Sequence, residues 1–245
     1  MKCLFLAAGY ATRLYPLTEN FPKPLLPIKD KPLLDYLIDD LDKSGYIDEY
    51  IVVTNHKYFN VFNEWATKHH QKIKIIDDGT LSNETRLGAV KDIQLVINNL
   101  KLNEDILILA GDNLLDFSLN DFIKYSLEKN TSCIMRFNEP DFEKIKRSAN
   151  LIVDENDKVL TMLEKPSEPQ THWCCPPFYF YKKEDIVLID SCLKERGNVD
   201  SPGAFASYVV SHSIVHAYKM PGRRFDIGSK EDYLNINKDS QLLFK

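Results

Sequence analysis

The segment that constrains this chain most is a short apolar run followed by a loop of small and cationic residues. The run Cys3-Leu4-Phe5-Leu6 predicts a buried first strand. The loop after it supplies small side chains, which let backbone amides approach an anion closely, and one hydroxyl donor: Ala7, Ala8, Gly9, Ala11 and Thr12. Arg13 and Lys23 add two positive charges. Backbone N–H groups beside fixed positive charge are what a polyphosphate requires. The alternative is an ordinary strand-to-helix loop that contains an arginine and a lysine.

Two well-known phosphate-binding patterns do not describe this loop. No Gly-Lys-Ser/Thr closes it, so it is not the P-loop of nucleoside triphosphatases. The second and third glycines of the dinucleotide-binding fingerprint are also missing. The loop therefore needs another explanation for its chemistry.

The first half of the chain alternates apolar runs with amphipathic segments. The apolar runs lie at residues 50–54, 72–76 and 105–110, and the amphipathic segments at 32–44, 58–69 and 86–99. This alternation predicts an α/β fold with a mostly parallel sheet and helices on both faces. Ligands of such sheets bind beyond the carboxyl ends of the strands. We therefore expect the loop after Leu6 and the segment Gly111-Asp112-Asn113 to meet at one edge of the sheet.

The second half is richer in strands. A turn at residues 155–157 joins two strands into a hairpin, and further elements are predicted as a strand at 178–181, a helix at 183–196, a polar loop at 198–203 and a strand at 214–219. No Gly-, Pro- or Ser-rich linker interrupts the chain. We therefore predict a single domain over residues 1–245, with a first half at 1–115 and a second half at 116–245.

Composition excludes several functional classes. The formal net charge is −5, which disfavours a nucleic-acid partner, so an anionic substrate must be held by locally placed cations. No stretch is apolar for long enough to span a membrane or to act as a signal peptide. The five cysteines contain no Cys-x-x-Cys pair and are expected to be buried thiols in a reducing compartment, the cytoplasm.

The loop resembles a known family signature. Gly9, Thr12, Arg13, Pro22 and Lys23 match the pattern G-x-G-T-x-R followed by P-K of the sugar-phosphate nucleotidylyltransferases, and Ala11 departs from it where glycine is commonest. The resemblance implies a Rossmann-like, mixed but mostly parallel sheet of the nucleotide-diphospho-sugar transferase type. It further implies that residues 1–115 mainly bind the nucleotide and residues 116–245 mainly bind the acceptor. The nucleotide contacts that it implies come from Leu6, Ala7, Ala8, Gly9, Thr12, Arg13, Lys23, Gly88 and Asp112. Because alanine lacks some backbone angles open to glycine, the loop is expected to lie slightly differently over the phosphates.

Two aspartates are candidate metal ligands. Asp112 follows a buried strand, and Asp226 lies in the otherwise apolar segment Phe225-Asp226-Ile227. Read alone, each is as much a turn or cap residue as a ligand. Mg²⁺ binds oxygen atoms from one or two carboxylates together with phosphates. The resemblance assigns both aspartates to a Mg²⁺ site.

The acceptor side is predicted from the element Glu164-Lys165-Pro166. Read alone it is an ion-rich surface turn, whereas the resemblance implies that Lys165 binds the acceptor phosphate and Glu164 its hydroxyl groups. The resemblance also places Gly88 against the nucleotide base. Whether Arg86, Arg223 or Arg224 contacts phosphate stays open. The six histidines show no spacing typical of metal ligands.

The resemblance implies a reaction in which a nucleoside triphosphate and a sugar 1-phosphate give a nucleoside diphosphate sugar and pyrophosphate. Its catalytic residues would be Arg13, Lys23, Asp112, Lys165 and Asp226. A pyrimidine triphosphate is favoured as the donor. Two alternatives stay open: a cytidylyltransferase acting on phosphocholine, a phosphonate or a similar acceptor, and a nucleotide-sugar-binding protein without catalysis. The sequence leaves the base, the acceptor and a homo-oligomeric state undecided.

Overall fold

The computed structural model describes residues 1–197 and 200–238. In this part of the chain the strands are β1 (Lys2–Leu6), β2 (Pro27–Ile28), β3 (Lys31–Pro32), β4 (Glu49–Thr54), β5 (Ile73–Asp77), β6 (Ile106–Ala110), β7 (Asn113–Leu115), β8 (Ser132–Asn138), β9 (Ala149–Val153), β10 (Val159–Glu164), β11 (Trp173–Cys175), β12 (Phe178–Tyr181), β13 (Val215–Lys219) and β14 (Arg224–Asp226). The helices are α1 (Leu33–Asp42), α2 (His56–Ala66), α3 (Ala89–Leu100), α4 (Asn120–Lys129), α5 (Phe142–Ile145), α6 (Lys183–Ile186), α7 (Ile189–Arg196), α8 (Pro202–His212) and α9 (Lys230–Lys238).

The chain forms two compact units, and the first contains residues 1–86, 110–120 and 221–238. Its strands β1, β4 and β5 pair in parallel, with Leu6 opposite Val53 and Val53 opposite Ile76. Every residue of β4 is buried, as expected for a strand covered on both faces. The helix α1 buries one apolar stripe formed by Leu33, Leu34, Leu37, Ile38 and Leu41. This unit therefore has the parallel α/β pattern that the sequence predicts.

The first unit also contains a two-stranded antiparallel ribbon. Strand β14 pairs with β7 so that Asp226 lies opposite Asn113 and Arg224 lies opposite Leu115. Side chains alternate between the two faces of a strand. Leu114 is fully buried in an apolar cluster that includes Ile227, and Phe225 packs against the same cluster. The apolar face of the ribbon thus anchors it, and its other face carries polar residues.

The second unit contains residues 87–109, 121–197 and 200–220, and its strand pairs are mainly antiparallel. β12 lies between β6 and β8, β11 lies between β8 and β9, and β10 pairs with β9, all in antiparallel fashion. The strand β13 differs, because it pairs with β8 in parallel. The helix α8 packs on β10. The two halves of the α/β fold thus differ in strand direction.

Several predicted boundaries differ from the structure. The helix expected from Arg86 begins at Ala89, because Gly88 precedes it in a non-helical conformation with a positive φ of 89°. The helix expected over 183–196 is two helices, α6 and α7. Asp185 anchors α6 by accepting hydrogen bonds from the hydroxyl groups of Ser132 and Ser213. The loop expected over 198–203 ends where α8 begins at Pro202, and its residues 198–199 lie outside the described residues.

Two other expectations concern the whole chain. All five cysteines are buried free thiols, as predicted. No helix within residues 1–197 and 200–238 has the length and apolar character needed to cross a lipid bilayer. The single-domain organisation with a division at residue 115 stays a prediction.

Candidate active site

The loop after β1 is fixed by hydrogen bonds at the carboxyl ends of the parallel strands. The Ala7 amide donates to the Val53 carbonyl at 2.9 Å. The fully buried Asn55 donates from Nδ2 to the Ala8 carbonyl at 3.0 Å, while its Oδ1 caps α2 by accepting from the Tyr58 amide at 3.1 Å. The Gly111 amide donates to the Leu6 carbonyl at 3.1 Å. The two predicted segments therefore meet at one edge of the first unit's sheet, as expected.

Ala11 has the backbone conformation that glycine commonly provides. Its φ is 47° and its ψ is 42°, in the left-handed region. An L-residue other than glycine loses about 1–2 kcal/mol there. The Ala11 carbonyl accepts from the Leu14 amide at 2.9 Å and from Thr18 Oγ1 at 2.8 Å. These bonds hold Ala11 in the turn. The loop therefore keeps its left-handed turn although it has alanine where the family pattern most often has glycine.

The two cations of the loop lie in opposite environments. Thr12 and Arg13 are exposed, and the structure gives Arg13 no hydrogen-bond or ion-pair partner within the described residues. Lys23 is only 8% exposed. Arg13 is therefore available to a ligand, whereas Lys23 is already engaged with the protein.

Lys23 lies between the two predicted metal ligands. Its Nζ donates to Asp112 Oδ2 at 2.8 Å and lies 3.6 Å from Asp226 Oδ1. The side chains of these acids are 35% and 52% exposed. Asp112 reaches this position from the segment between β6 and β7, and Asp226 reaches it from the end of β14. The structure therefore brings together three of the predicted residues in the first unit.

Asn113 and Arg224 extend this cluster. Arg224 Nη1 donates to Asn113 Oδ1 at 2.7 Å, and Asn113 Nδ2 donates to Asp112 Oδ1 at 2.9 Å. Arg223, by contrast, is exposed and donates from Nε to Asp116 Oδ2 at 2.8 Å. Burial by itself would raise the pKa of Asp116, but the hydrogen bonds and the charge of Arg223 together hold that pKa below its usual value. The structure thus separates two arginines whose roles the sequence leaves open.

The residues predicted for the acceptor lie in the second unit. Glu164 ends β10, and its Oε1 accepts from Ser201 Oγ at 2.8 Å just before α8. A Cβ atom on Gly203 would lie 2.2 Å from Glu164 Oε2, so glycine makes room for the carboxylate in the first turn of the helix. Lys165 has φ 49° and a side chain that is 59% exposed. Lys165 is therefore a solvent-accessible cation held on a left-handed turn.

Two other predicted positions have local structural roles. Gly88 is followed by α3 and has φ 89° and ψ 149°, which a residue with a side chain rarely adopts. Arg86 is exposed and donates to the Asn83 carbonyl at 2.7 Å. The geometry gives Gly88 a backbone reason to be glycine, and contact with a base stays a prediction.

A second layer of polar residues supports the loop. The Tyr10 hydroxyl lies 3.1 Å from Thr80 Oγ1, and the Thr80 amide donates to Asp78 Oδ1 at 2.7 Å. Burial raises the pKa values of Tyr10 and of Asp78. Sequence reasoning missed these residues and Asn55, and it named Asn113 only as part of the segment after β6, without a role of its own. For Asn55 a signal was present, since asparagine directly after a buried strand is a preferred helix cap.

Comparison with known proteins supplies the context for this geometry. Residues 2–241 match the family described as Nucleotidyl transferase. The chain is 28% identical over 238 residues to a protein of Sulfolobus acidocaldarius that is named provisionally as a mannose-1-phosphate guanyltransferase, covering 97% of this chain and 62% of that protein. It is 25% identical over 236 residues to the UTP–glucose-1-phosphate uridylyltransferase AglF of Haloferax volcanii, covering 95% and 93%. The chain thus spans less than two thirds of the first relative and nearly all of the second.

Solved structures confirm the fold class. A UDP-glucose pyrophosphorylase complexed with UDP-glucose superposes with a TM-score of 0.81 at 21% identity, covering 97% of each chain. At this identity the likeness concerns the fold alone. It agrees with the α/β class and the nucleotide-diphospho-sugar transferase type expected from the signature.

Proposed function

Since the chain belongs to the nucleotidyl transferase family, we propose that it transfers a nucleotidyl group from a nucleoside triphosphate to a phosphorylated acceptor. The acceptor is a sugar 1-phosphate, and the products are a nucleoside diphosphate sugar and pyrophosphate. The observation that carries this proposal is the cluster of Lys23, Asp112 and Asp226 beside the phosphate-binding loop. Relatives of the chain carry names of sugar-phosphate nucleotidyltransferases, which supports the same class of acceptor.

The donor set is suitable for Mg²⁺. Asp112 and Asp226 offer carboxylate oxygens that both lie within 4 Å of one cation, the Lys23 ammonium. The described residues hold no group of three or more His, Cys, Asp or Glu side chains arranged for a metal. Mg²⁺ commonly takes one or two carboxylates and completes its shell with phosphates and water. The two aspartates would hold the ion, which would neutralise phosphate charge when bound.

The protein's own residues would align two polyanions. Arg13, exposed and without a partner in the described residues, would bind the pyrophosphate portion together with the loop amides. Lys23 would leave the aspartates and bind near the α-phosphate. Lys165 would hold the acceptor phosphate as a point charge, and Glu164 would accept from its hydroxyl groups. No general base is required, because a phosphate monoester is ionised at neutral pH. Catalysis would come from positioning and charge neutralisation.

A pyrimidine triphosphate is the proposed donor. The support comes from the resemblance of Leu14-Tyr15-Pro16-Leu17 and Gly111-Asp112-Asn113 to the pyrimidine-using branches. The relatives named above include both a uridylyltransferase and a guanyltransferase. Pocket contacts of this kind discriminate by about 1–3 kcal/mol, so a preference is expected without complete exclusion of purines. The cytoplasmic location stays a prediction.

The test is pyrophosphate release over a panel of nucleoside triphosphates (ATP, GTP, CTP, UTP and dTTP) with phosphorylated acceptors. We expect release with a sugar 1-phosphate, highest kcat/KM for a pyrimidine, and loss of most turnover in chelator or on Asp112→Ala or Asp226→Ala. Thermal unfolding of each variant is the control for folding. Release only with CTP and phosphocholine or a phosphonate would replace the acceptor class. No release with any pair would favour a binding protein, and equal kcat/KM for GTP and the best pyrimidine would contradict the base preference.

A further inference from the structure

We propose that Arg224 and Asn113 are positioning residues that turn one oxygen of each aspartate towards a single cation position. The inference rests on the proposed function, because it concerns the metal site assigned to Asp112 and Asp226. It goes beyond that assignment by naming the oxygen atoms that face the cation and the side chains that select them.

The ribbon of β7 and β14 places these residues on one face. Asp226 of β14 lies directly opposite Asn113 of β7. Arg224, two residues before Asp226 on β14, lies opposite Leu115, two residues after Asn113 on β7. Residues two apart on a strand, and their opposite partners, share a face, and diagonal neighbours lie within reach of a long side chain. The other face is held by Leu114 and Phe225 in the apolar cluster. Arg224 therefore reaches Asn113 because the strand register brings it there.

Arg224 fixes the orientation of the Asn113 amide. A guanidinium group is only a donor, so its contact at 2.7 Å requires the Asn113 oxygen. The Asn113 nitrogen then faces Asp112 Oδ1 at 2.9 Å and the Ala110 carbonyl at 3.3 Å, and both are acceptors. Asn113 is fully buried, so water does not replace these partners. Each polar atom of the amide thus has a partner of the correct type.

The contacts divide the oxygens of both carboxylates in the same way. Asp112 Oδ1 faces Asn113, and Asp226 Oδ2 lies 3.7 Å from Arg224 Nη1. The remaining oxygens, Asp112 Oδ2 and Asp226 Oδ1, are the ones that face the Lys23 ammonium at 2.8 and 3.6 Å. One oxygen of each acid therefore faces Asn113 or Arg224, and the other oxygen faces the cation. We assign Asp112 Oδ2 and Asp226 Oδ1 as the oxygens that a divalent metal would take in place of the Lys23 ammonium.

Charge and positioning make opposite predictions for a variant of Arg224. If the arginine acted only through its positive charge, removing it would reduce repulsion and strengthen binding of a divalent cation. If it positions the carboxylates, removing it releases the Asn113 amide and one side of Asp226, and binding weakens. The sign of the change in metal affinity therefore separates the two roles.

The experiment measures binding of Mn²⁺ alone to the full chain, by the electron paramagnetic resonance signal of the free ion. The variants are Arg224→Gln and Arg224→Lys, with Arg223→Gln as the matched control. The control removes the same charge one residue away, from a side chain bonded to Asp116. We expect Arg224→Gln to raise the apparent Kd for Mn²⁺ at least tenfold and Arg223→Gln to leave it within twofold. Arg224→Lys keeps the charge without the planar fork and is expected to raise the Kd at least threefold.

Thermal unfolding shows whether each variant is folded. If Arg224→Gln does not fold, Arg224→Lys decides: a raised Kd supports positioning and an unchanged Kd overturns it. Mn²⁺ binding by Arg224→Gln that equals or exceeds wild type overturns the inference, as does a wild-type chain that binds no Mn²⁺. Absence of pyrophosphate release would contradict the proposed function separately, since the Mn²⁺ comparison measures binding without turnover.

Discussion

The pairing of a buried lysine, Lys23, with a partly buried acid, Asp112, predicts an asymmetric effect on stability. Asp112 accepts from Lys23 on Oδ2 and from Asn113 on Oδ1, so both of its oxygens face donors. In Asp112→Asn one of these acceptors becomes an NH₂ group, which then faces a donor. Leaving a buried donor unsatisfied costs about 1–3 kcal/mol. We expect Asp112→Asn to lower the free energy of unfolding by that amount.

Lys23→Met breaks the same ion pair at a smaller cost. The variant removes the buried ammonium together with its desolvation penalty, and methionine has a similar length and an apolar side chain. Asp112 keeps Asn113 as a partner, and its side chain, 35% exposed, is solvated in place of the lost contact. We expect a change within about 1 kcal/mol, because the lost charge-assisted bond and the relieved burial are of opposite sign. When Lys23→Met is combined with Asp112→Asn, the amide introduced at position 112 can turn its oxygen to Asn113. The double variant should therefore be more stable than Asp112→Asn alone.

Urea unfolding followed by tryptophan fluorescence measures these differences. The chain has two tryptophans, Trp65 in the first unit and Trp173 in the second, so a Trp173→Phe background lets Trp65 report on the unit that contains the cluster. Asp226→Asn is the control, because that acid is 52% exposed and 3.6 Å from Lys23, and a cost of about 0–1 kcal/mol is expected. A double variant less stable than Asp112→Asn would refute the reasoning.

Two further predictions concern substrate binding and pH. Arg13→Ala should raise the KM for the nucleoside triphosphate about tenfold or more, and Lys165→Ala should raise the KM for the acceptor to a similar extent, because a charge-assisted contact contributes about 1.5–3 kcal/mol. Initial-rate kinetics measure both constants. If both variants raise the KM of the same substrate, the assignment is contradicted. Burial and the charge of Lys129 hold the pKa of His216 below its usual value of about 6.5. As the pH falls, the unfolded chain therefore binds a proton at this histidine before the folded chain does. The free energy of unfolding consequently declines below about pH 6.5. His216→Asn should reduce the decline in the free energy of unfolding between about pH 7 and pH 5 in urea titrations, and an unchanged decline would show that other groups cause it.

Much of the first unit could be predicted from local sequence. The buried run at residues 50–54 and the amphipathic stripe of α1 are periodic patterns that depend on neighbouring residues alone. The meeting of the loop after Leu6 with Gly111 followed from the rule that parallel strands end at one edge. Helix boundaries were less predictable. The start of α3 at Ala89, for example, depends on the positive φ of Gly88, which the apolar periodicity does not reveal.

The sequence by itself determined the family and the residue types of the candidate site: a loop of small residues, two cations and two acids. Only the tertiary structure decided how these groups are paired. Arg13 and Lys23 are alike in charge and close in sequence. Arg13 is nevertheless exposed, whereas Lys23 is buried beside two carboxylates and only 8% exposed. Arg223 and Arg224 are adjacent, yet strand register sends one to Asp116 and the other to Asn113. Burial and register arise from contacts between segments that are distant along the chain, which local sequence does not encode.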